Sequence, residues 1–411
     1  MLENIYKKIK EEGCCITYEV DIKNEDFLSM EEKAVLRVQS GALYPGFRKG
    51  KVPFDIIKKH FYEAVKSEIK EVAVKNALDL ILEKENLLPV VPPSVYDLEL
   101  NDKKISFKLY IEQSPKFDVK DYTGFEVKRN LKKITDSDID NHLNALREYN
   151  AYLKPVENQA VSKNHYLIVD YEIFENGKKV DELKNEMVDM SSPQNIAGLE
   201  KAVLGANKGD IKEFETEFDG KKMKFIVKIN DIKEKIVPQI DDNFIKQLGA
   251  KDISDLREQV RKVLEAQELE KSEKSIIEQI ENYIIEKNKF SLPPTLVRQE
   301  MEELFEMVKK RSNISPDKKL ELKDYEDKIK PIAEKNLRVA YILHFIAKKE
   351  NIKVTEDDFN AELERVIKTL KTEDEVKKAK DLFDQRKDYI MASISENKTI
   401  DFIKSKITIK E

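Results

Sequence analysis

Four apolar residues, Ile16, Tyr18, Val20 and Ile22, alternate with polar ones, the two-residue period of a strand with one buried face. From residue 26 to about 38 the spacing predicts a helix, and 41–50 reads as a loop. Pro53, suited to a first helical turn, then opens a long helix. Its apolar stripe is Phe54, Ile57, Phe61, Val65, Ile69 and Val72, at three- and four-residue spacing. Strands are predicted near 95–100 and 105–111, joined by a turn at Asn101-Asp102. Residues 1–114 therefore form a small α+β domain. In the connector, 115–150, Phe125 and Val127 suggest a short extended piece. Thr135 and Asp138 make a capping box that opens a helix through Leu143 and Leu146.

Residues 151–236 are β-rich. A strand at 166–174 ends at Asn176-Gly177, and strands at 211–218 and 223–229 flank an Asp219-Gly220 hairpin. Between them, 191–204 reads as a loop with one short helix. Residues 237–411 carry a helical period. Ser254 is expected to cap a helix with Leu256, Val260, Val263 and Leu264 on one face, continuing through Ile277, Ile280 and Ile284. Pro293-Pro294 starts another, Pro316 and Pro331 punctuate later ones, and Thr355 with Asp358 forms a second capping box. The fold class is multidomain α+β with a large helical C-terminal domain.

Charged residues reach 37%, against a usual value of about 25%, while 40% hydrophobic residues suffice for cores. This balance implies much surface per residue, as in long solvated helices or separated lobes. The Lys/Glu runs at 265–287 and 371–380 interleave both signs and read as solvated faces. With a net charge of −6, any contact with nucleic acid must rest on a local patch. Residues 1–12 contain no apolar core of a signal peptide, and no run of about 18 apolar residues exists. The two cysteines, Cys14 and Cys15, are adjacent, which suits neither an ordinary disulfide nor a metal site. A cytoplasmic protein without contact to membrane is expected. His60, His142, His165 and His344 lack ligand spacing, and no glycine-rich phosphate loop appears. No metal, cofactor or ATP dependence is expected.

One stretch carries more specific information: Tyr44-Pro45-Gly46-Phe47-Arg48-Lys49-Gly50-Lys51-Val52-Pro53. It is a Pro/Gly-hinged loop ahead of a helix, with one aromatic and three cations, and Lys58 and Lys59 close behind. Either it is a solvated loop with Phe47 folded onto its own domain, or it presents Phe47 and the cations to an acidic partner. The stretch resembles the ribosome-docking loop of trigger factors, Gly-Phe-Arg-x-Gly-Lys-x-Pro, which Gly46, Phe47, Arg48, Gly50, Lys51 and Pro53 match. Val237-Pro238-Gln239-Ile240-Asp241-Asp242-Asn243-Phe244, Leu292-Pro293-Pro294-Thr295-Leu296-Val297 and the segment 333–347 resemble further trigger-factor segments.

The resemblance implies a chaperone that docks beside the tunnel exit, on a ribosomal protein and adjoining rRNA, through Gly46, Phe47, Arg48, Lys49, Gly50 and Lys51. It implies nascent and unfolded polypeptides as clients, self-association into a homodimer off the ribosome, and an FKBP-type prolyl isomerase domain. Such a domain lowers a barrier of roughly 18–20 kcal/mol by enclosing proline in apolar, aromatic walls. Here those walls are altered. Trigger factors carry Ile-Pro-Gly-Phe-Glu where this chain has Ile196-Ala197-Gly198-Leu199-Glu200. Val180 stands where a Phe is expected, and the tight Asp219-Gly220 turn replaces a longer flap with a pocket Tyr. Tyr171, Val180, Ile196, Leu199 and Phe225 are the pocket candidates; Tyr171, Ile196, Leu199 and Phe225 also read, by their periodicity, as plain β-domain core. Weak or absent isomerase activity is expected. Two rival readings are a free FKBP-type isomerase, which needs an intact pocket, and a ribosome-independent assembly chaperone, which needs no docking loop.

Overall fold

The computed structural model describes residues 5–101, 103–218, 221–311 and 321–411. The expectations at residues 1–4, Asp102, Asp219-Gly220 and Pro316 lie outside the described residues. The chain forms two compact units, residues 1–129 with 274–411, and residues 130–273.

The first unit begins with β1 (Tyr6–Glu12), β2 (Cys15–Lys23), α1 (Asn24–Gly41), α2 (Phe54–His60), α3 (Tyr62–Lys84), β3 (Ser94–Asn101) and β4 (Lys104–Glu112). The four strands make an antiparallel sheet in the order β1-β2-β4-β3. The alternating residues of β2 and β4, among them Tyr18, Ile22, Phe107 and Leu109, bury one face against Phe27, Ala34, Ile69 and Ile81 of the helices. β1 was not legible in the sequence, because it is an edge strand of mostly exposed Lys and Glu whose existence depends on its pairing with β2. The single helix expected from Pro53 is two. Phe61 adopts φ −117°, breaking the run, although its N–H still bonds the Ile57 carbonyl at 2.9 Å. A short β5 (Glu126–Lys128) follows.

In the second unit, α4 (Asp136–Tyr149) opens with the expected capping box: Thr135 N–H donates to Asp138 Oδ2 at 2.9 Å, and Asp138 N–H to Thr135 Oγ1 at 3.3 Å. Then come β6 (Tyr152–Pro155), β7 (His165–Glu175), β8 (Lys178–Asp189), α5 (Leu199–Val203), β9 (Ile211–Phe218) and β10 (Lys221–Ile236). β10 is the spine of the sheet: β7 lies along one edge, while β9 and β6 share the other. Asn176 and Gly177, at φ 51° and 80°, make the two-residue turn from β7 into β8. β8 was not predicted; most of its side chains face solvent, so no apolar alternation marks it. After α6 (Asp242–Gln247) comes α7 (Ile253–Lys287), whose residues up to 273 belong to this unit. The cap of α7 is Asp252, not Ser254: Asp252 Oδ1 accepts the Asp255 N–H at 2.9 Å. A carboxylate one position before the first helical residue outcompetes a hydroxyl already inside the turn.

The first unit resumes with the end of α7, then α8 (Pro294–Arg311), α9 (Glu326–Lys349), α10 (Glu356–Ile367), α11 (Glu373–Gln385), α12 (Lys387–Ser405) and β11 (Thr408–Lys410). Pro331 does not interrupt a helix. It lies within α9, near its start, where water can reach the exposed Asp327 carbonyl left without a helical donor. The segment 117–128 packs into this body: Val119, Tyr122, Phe125 and Val127 join Ile276, Ile280, Ile284, Ile342, Ile346 and Ile403 in one core. β5 pairs in parallel with β11. The N-terminal sheet is fastened to α8 by buried groups. Glu112, 2% exposed, accepts from Thr295 N–H at 3.0 Å and from Thr295 Oγ1 at 2.6 Å, satisfying a free donor of the first helical turn. Cys14 donates its thiol proton to the Ser291 carbonyl at 2.8 Å. Any Cβ at Gly13 would lie 2.4 Å from Ser291 Cβ. Among the described residues, no helix is long and apolar enough to cross a membrane.

Candidate functional site

The loop between α1 and α2 is two consecutive tight turns. The Tyr44 carbonyl accepts the Phe47 N–H at 3.1 Å, and the Arg48 carbonyl accepts the Lys51 N–H at 2.9 Å. The third residue of each turn is a glycine with positive φ, Gly46 at 88° and Gly50 at 77°. That is the demand of a type II turn, and Pro45 suits the second position of the first. A Cβ at either glycine would meet nothing within 4 Å, so backbone angle, not space, requires them. The base of the loop is fixed by fully buried Val52, whose carbonyl accepts from Gln39 Nε2 at 2.7 Å.

Tyr44 organises the aromatic side of the loop. Its ring centroid lies 6.3 Å from Phe47, 5.0 Å from His60 and 6.4 Å from Phe61. Its hydroxyl is 3.2 Å from His60 Nε2. Phe47 is steadied by this contact and yet remains 41% exposed; it is not folded into the core. Arg48, Lys49 and Lys51 are exposed, and none has an ion-pair partner among the described residues. Gly46, Phe47, Arg48, Lys49, Gly50 and Lys51 thus lie together in one largely exposed double turn. Lys58 contributes less than expected, because Glu31 holds its ammonium at 2.8 Å. Leu43, 74% exposed, and Tyr62, 46% exposed, add apolar surface beside the double turn. The parts of Tyr44 and His60 were not legible, because they depend on the kink at Phe61.

Of the pocket candidates in the β-rich unit, Tyr171, Leu199 and Phe225 share one core, with half-buried Ile196 packed against it. The structure does not bring Val180 to them. Val180 is the extra residue of a bulge, since Ile173 pairs with Asp181 and Phe174 with Lys179, and it is 49% exposed. Sequence reasoning missed Phe214. It sits opposite Phe225 on β9, and the two rings stack at 5.2 Å and 8°. Tyr171 meets Phe225 edge-on at 6.3 Å. Burial pushes the Tyr171 hydroxyl up to about 12, so it stays neutral. The alternation of Phe214, Thr216 and Phe218 with Glu213, Glu215 and Glu217 was the available signal for Phe214. Among the described residues, no group of three or more His, Cys, Asp or Glu side chains is placed to hold a metal.

An exposed aromatic-and-cation loop beside an N-terminal α+β sheet, a β-rich region and a long-helix C-terminal body define a multidomain α+β protein. Two family models match it: bacterial trigger factor protein over residues 5–146, and bacterial trigger factor protein C-terminus over residues 252–405. The chain belongs to the trigger factor family. It is 28% identical over 412 residues to the trigger factor of Geotalea uraniireducens strain Rf4, with 95% of each chain covered. To that of Geobacillus sp. strain WCH70 it is 29% identical over 427 residues, with 97% of each covered. A solved trigger factor chaperone, studied for promiscuous substrate recognition in folding and assembly, superposes with a TM-score of 0.50. That alignment covers 97% of this chain and 98% of the other at 19% identity, a likeness of fold.

Proposed function

We propose that this chain is a ribosome-associated, ATP-independent chaperone that meets nascent chains at the tunnel exit through the loop 44–51. The observation that carries this reading is the exposed double turn, with Phe47 partly exposed and its three cations without ion-pair partners among the described residues. Arg48 can fork onto a carboxylate or phosphate, Lys49 and Lys51 add point charges, and Phe47 fills an apolar pocket. These properties fit a ribosomal protein with adjoining rRNA. Residues 1–114 are the docking domain, 115–150 the connector, 151–236 the FKBP-like domain and 237–411 the chaperone domain. Scattered exposed apolar residues on the C-terminal helices, among them Met307, Leu382 and Tyr389, suit weak binding of unfolded segments. The protein works in the cytoplasm, and off the ribosome it self-associates as a homodimer. Replacing Phe47, Arg48 and Lys49 together by Ala abolishes co-sedimentation with ribosomes while the fold persists, and wild-type binding weakens as salt rises. Undiminished co-sedimentation of the triple variant would refute the docking assignment.

The FKBP-like domain has weak or no prolyl isomerase activity. Tyr171, Leu199 and Phe225 are 5%, 1% and 2% exposed, so none offers a ring or methyl face to an incoming proline, and Val180 stands apart from them. Catalysis of a short X-Pro peptide should fall at least about a hundredfold below that of a trigger factor with an intact aromatic pocket. Comparable rates would sink this reading.

A further inference from the structure

Phe214 occupies a revealing position. Its ring lies flat against Phe225, and its Cδ2 would be 3.1 Å from a Cβ at Gly198, so it also reaches over the entry to α5. Gly198 has φ 93° and immediately precedes Leu199, the residue aligned with the missing pocket Phe. Phe214 thus touches both remaining sides of the cluster while staying half-buried itself, with its outer part open to solvent. The residues beneath it are almost fully covered. The arrangement is that of a stopper: one half-buried aromatic ring stacked on Phe225, which itself meets Tyr171 edge-on, and reaching to Gly198 beside Leu199.

We propose that Phe214 is an internal occupant of the proline site, its phenyl ring taking the place that a substrate pyrrolidine ring would take against Phe225. This inference rests on the reading of the β-rich domain as an FKBP-like lobe of weak activity, and it assigns the weakness to a filled site. It follows that the Phe225 face persists beneath the ring. β9 fixes the Phe214 backbone there by its pairing with β10, Phe214 opposite Phe225, so the ring leaves Phe225 only by turning about its own side-chain bonds. Removing the ring without disturbing the strand should expose the Phe225 face and give the domain an affinity for proline that the wild type lacks.

The test uses the full chain and a short peptide with one Leu-Pro bond, followed by two-dimensional NMR exchange without protease. Wild type, Phe214→Ala and Phe214→Val are compared, each checked for folding by thermal melting. Val keeps the β-branched strand preference if the Ala variant does not fold. The expected result is a silent wild type and a variant that accelerates exchange or binds the peptide at least about tenfold better. A silent wild type with folded, equally silent variants would overturn the stopper and leave the reading of weak activity intact. A wild type as fast as an intact trigger factor would overturn both.

Discussion

Asp358 closes the capping box of α10 and also reaches across to α12. Its Oδ2 accepts from the Thr355 N–H at 2.8 Å and from Lys398 Nζ at 2.8 Å. The Lys398 ammonium first, and the Thr355 backbone N–H second, hold this carboxyl down to about 2, from an ordinary value of 3.8. A carboxylate with a lowered folded-state pKa contributes its stability above the unfolded value and loses it as pH falls through the folded one. Between about pH 4 and pH 2, the melting temperature should therefore drop more steeply in wild type than in Asp358→Asn. Parallel curves would mean that the contact with Lys398 is broken in solution. The box itself could be read from Thr355 and Asp358, because capping is local. Lys398 could not, being 40 residues away. Phe47 and Phe214 show the same limit in the candidate sites. Gly46 and Gly50 mark turns by their residue type, but whether an aromatic nearby is exposed or stacked depends on what lies across from it.

Helices with an apolar stripe and a cap were legible along their length, and strands with one buried face likewise. Among the elements that escaped detection, β1 and β8 lie at sheet edges and are mostly solvated, so they carry no alternating pattern. The kink at Phe61 has no Gly or Pro to announce it. The seam between β4 and α8 was also invisible. Glu112 ends a strand, Thr295 begins a helix 183 residues later, and neither residue type is unusual in its place. Replacing Glu112 by Ala takes the carboxylate away from the half-buried Thr295 donors and should cost about 1–3 kcal/mol in chemical denaturation. A loss below about 0.5 kcal/mol would indicate that water has taken over the carboxylate's role. Loss of this cap should also weaken hydrogen-exchange protection in the first turn of α8.

At the scale of the whole molecule, the β-rich lobe leaves and returns through adjacent strands. Pro155 pairs with Lys233, so residues between them can be excised with the ends already close. A chain joined from Pro155 to Lys233 by a short turn should still suppress aggregation of a diluted, denatured enzyme without ATP, as followed by light scattering. Complete loss of suppression would show that the lobe, and not the helical body, carries the clients. The sequence alone determined which stretches are helical and which β-rich, and the loop 44–51 with its two required glycines, because periodicity and turn chemistry are properties of neighbours along the chain. Tertiary structure alone decided that Val180 bulges away from Tyr171, Leu199 and Phe225, that Lys58 is tied to Glu31, that Glu112 caps a distant helix, and that Phe214 stacks on Phe225. Each of these depends on which strand or helix lies opposite, and pairing between distant segments is set by the burial of the whole core, which no local pattern encodes.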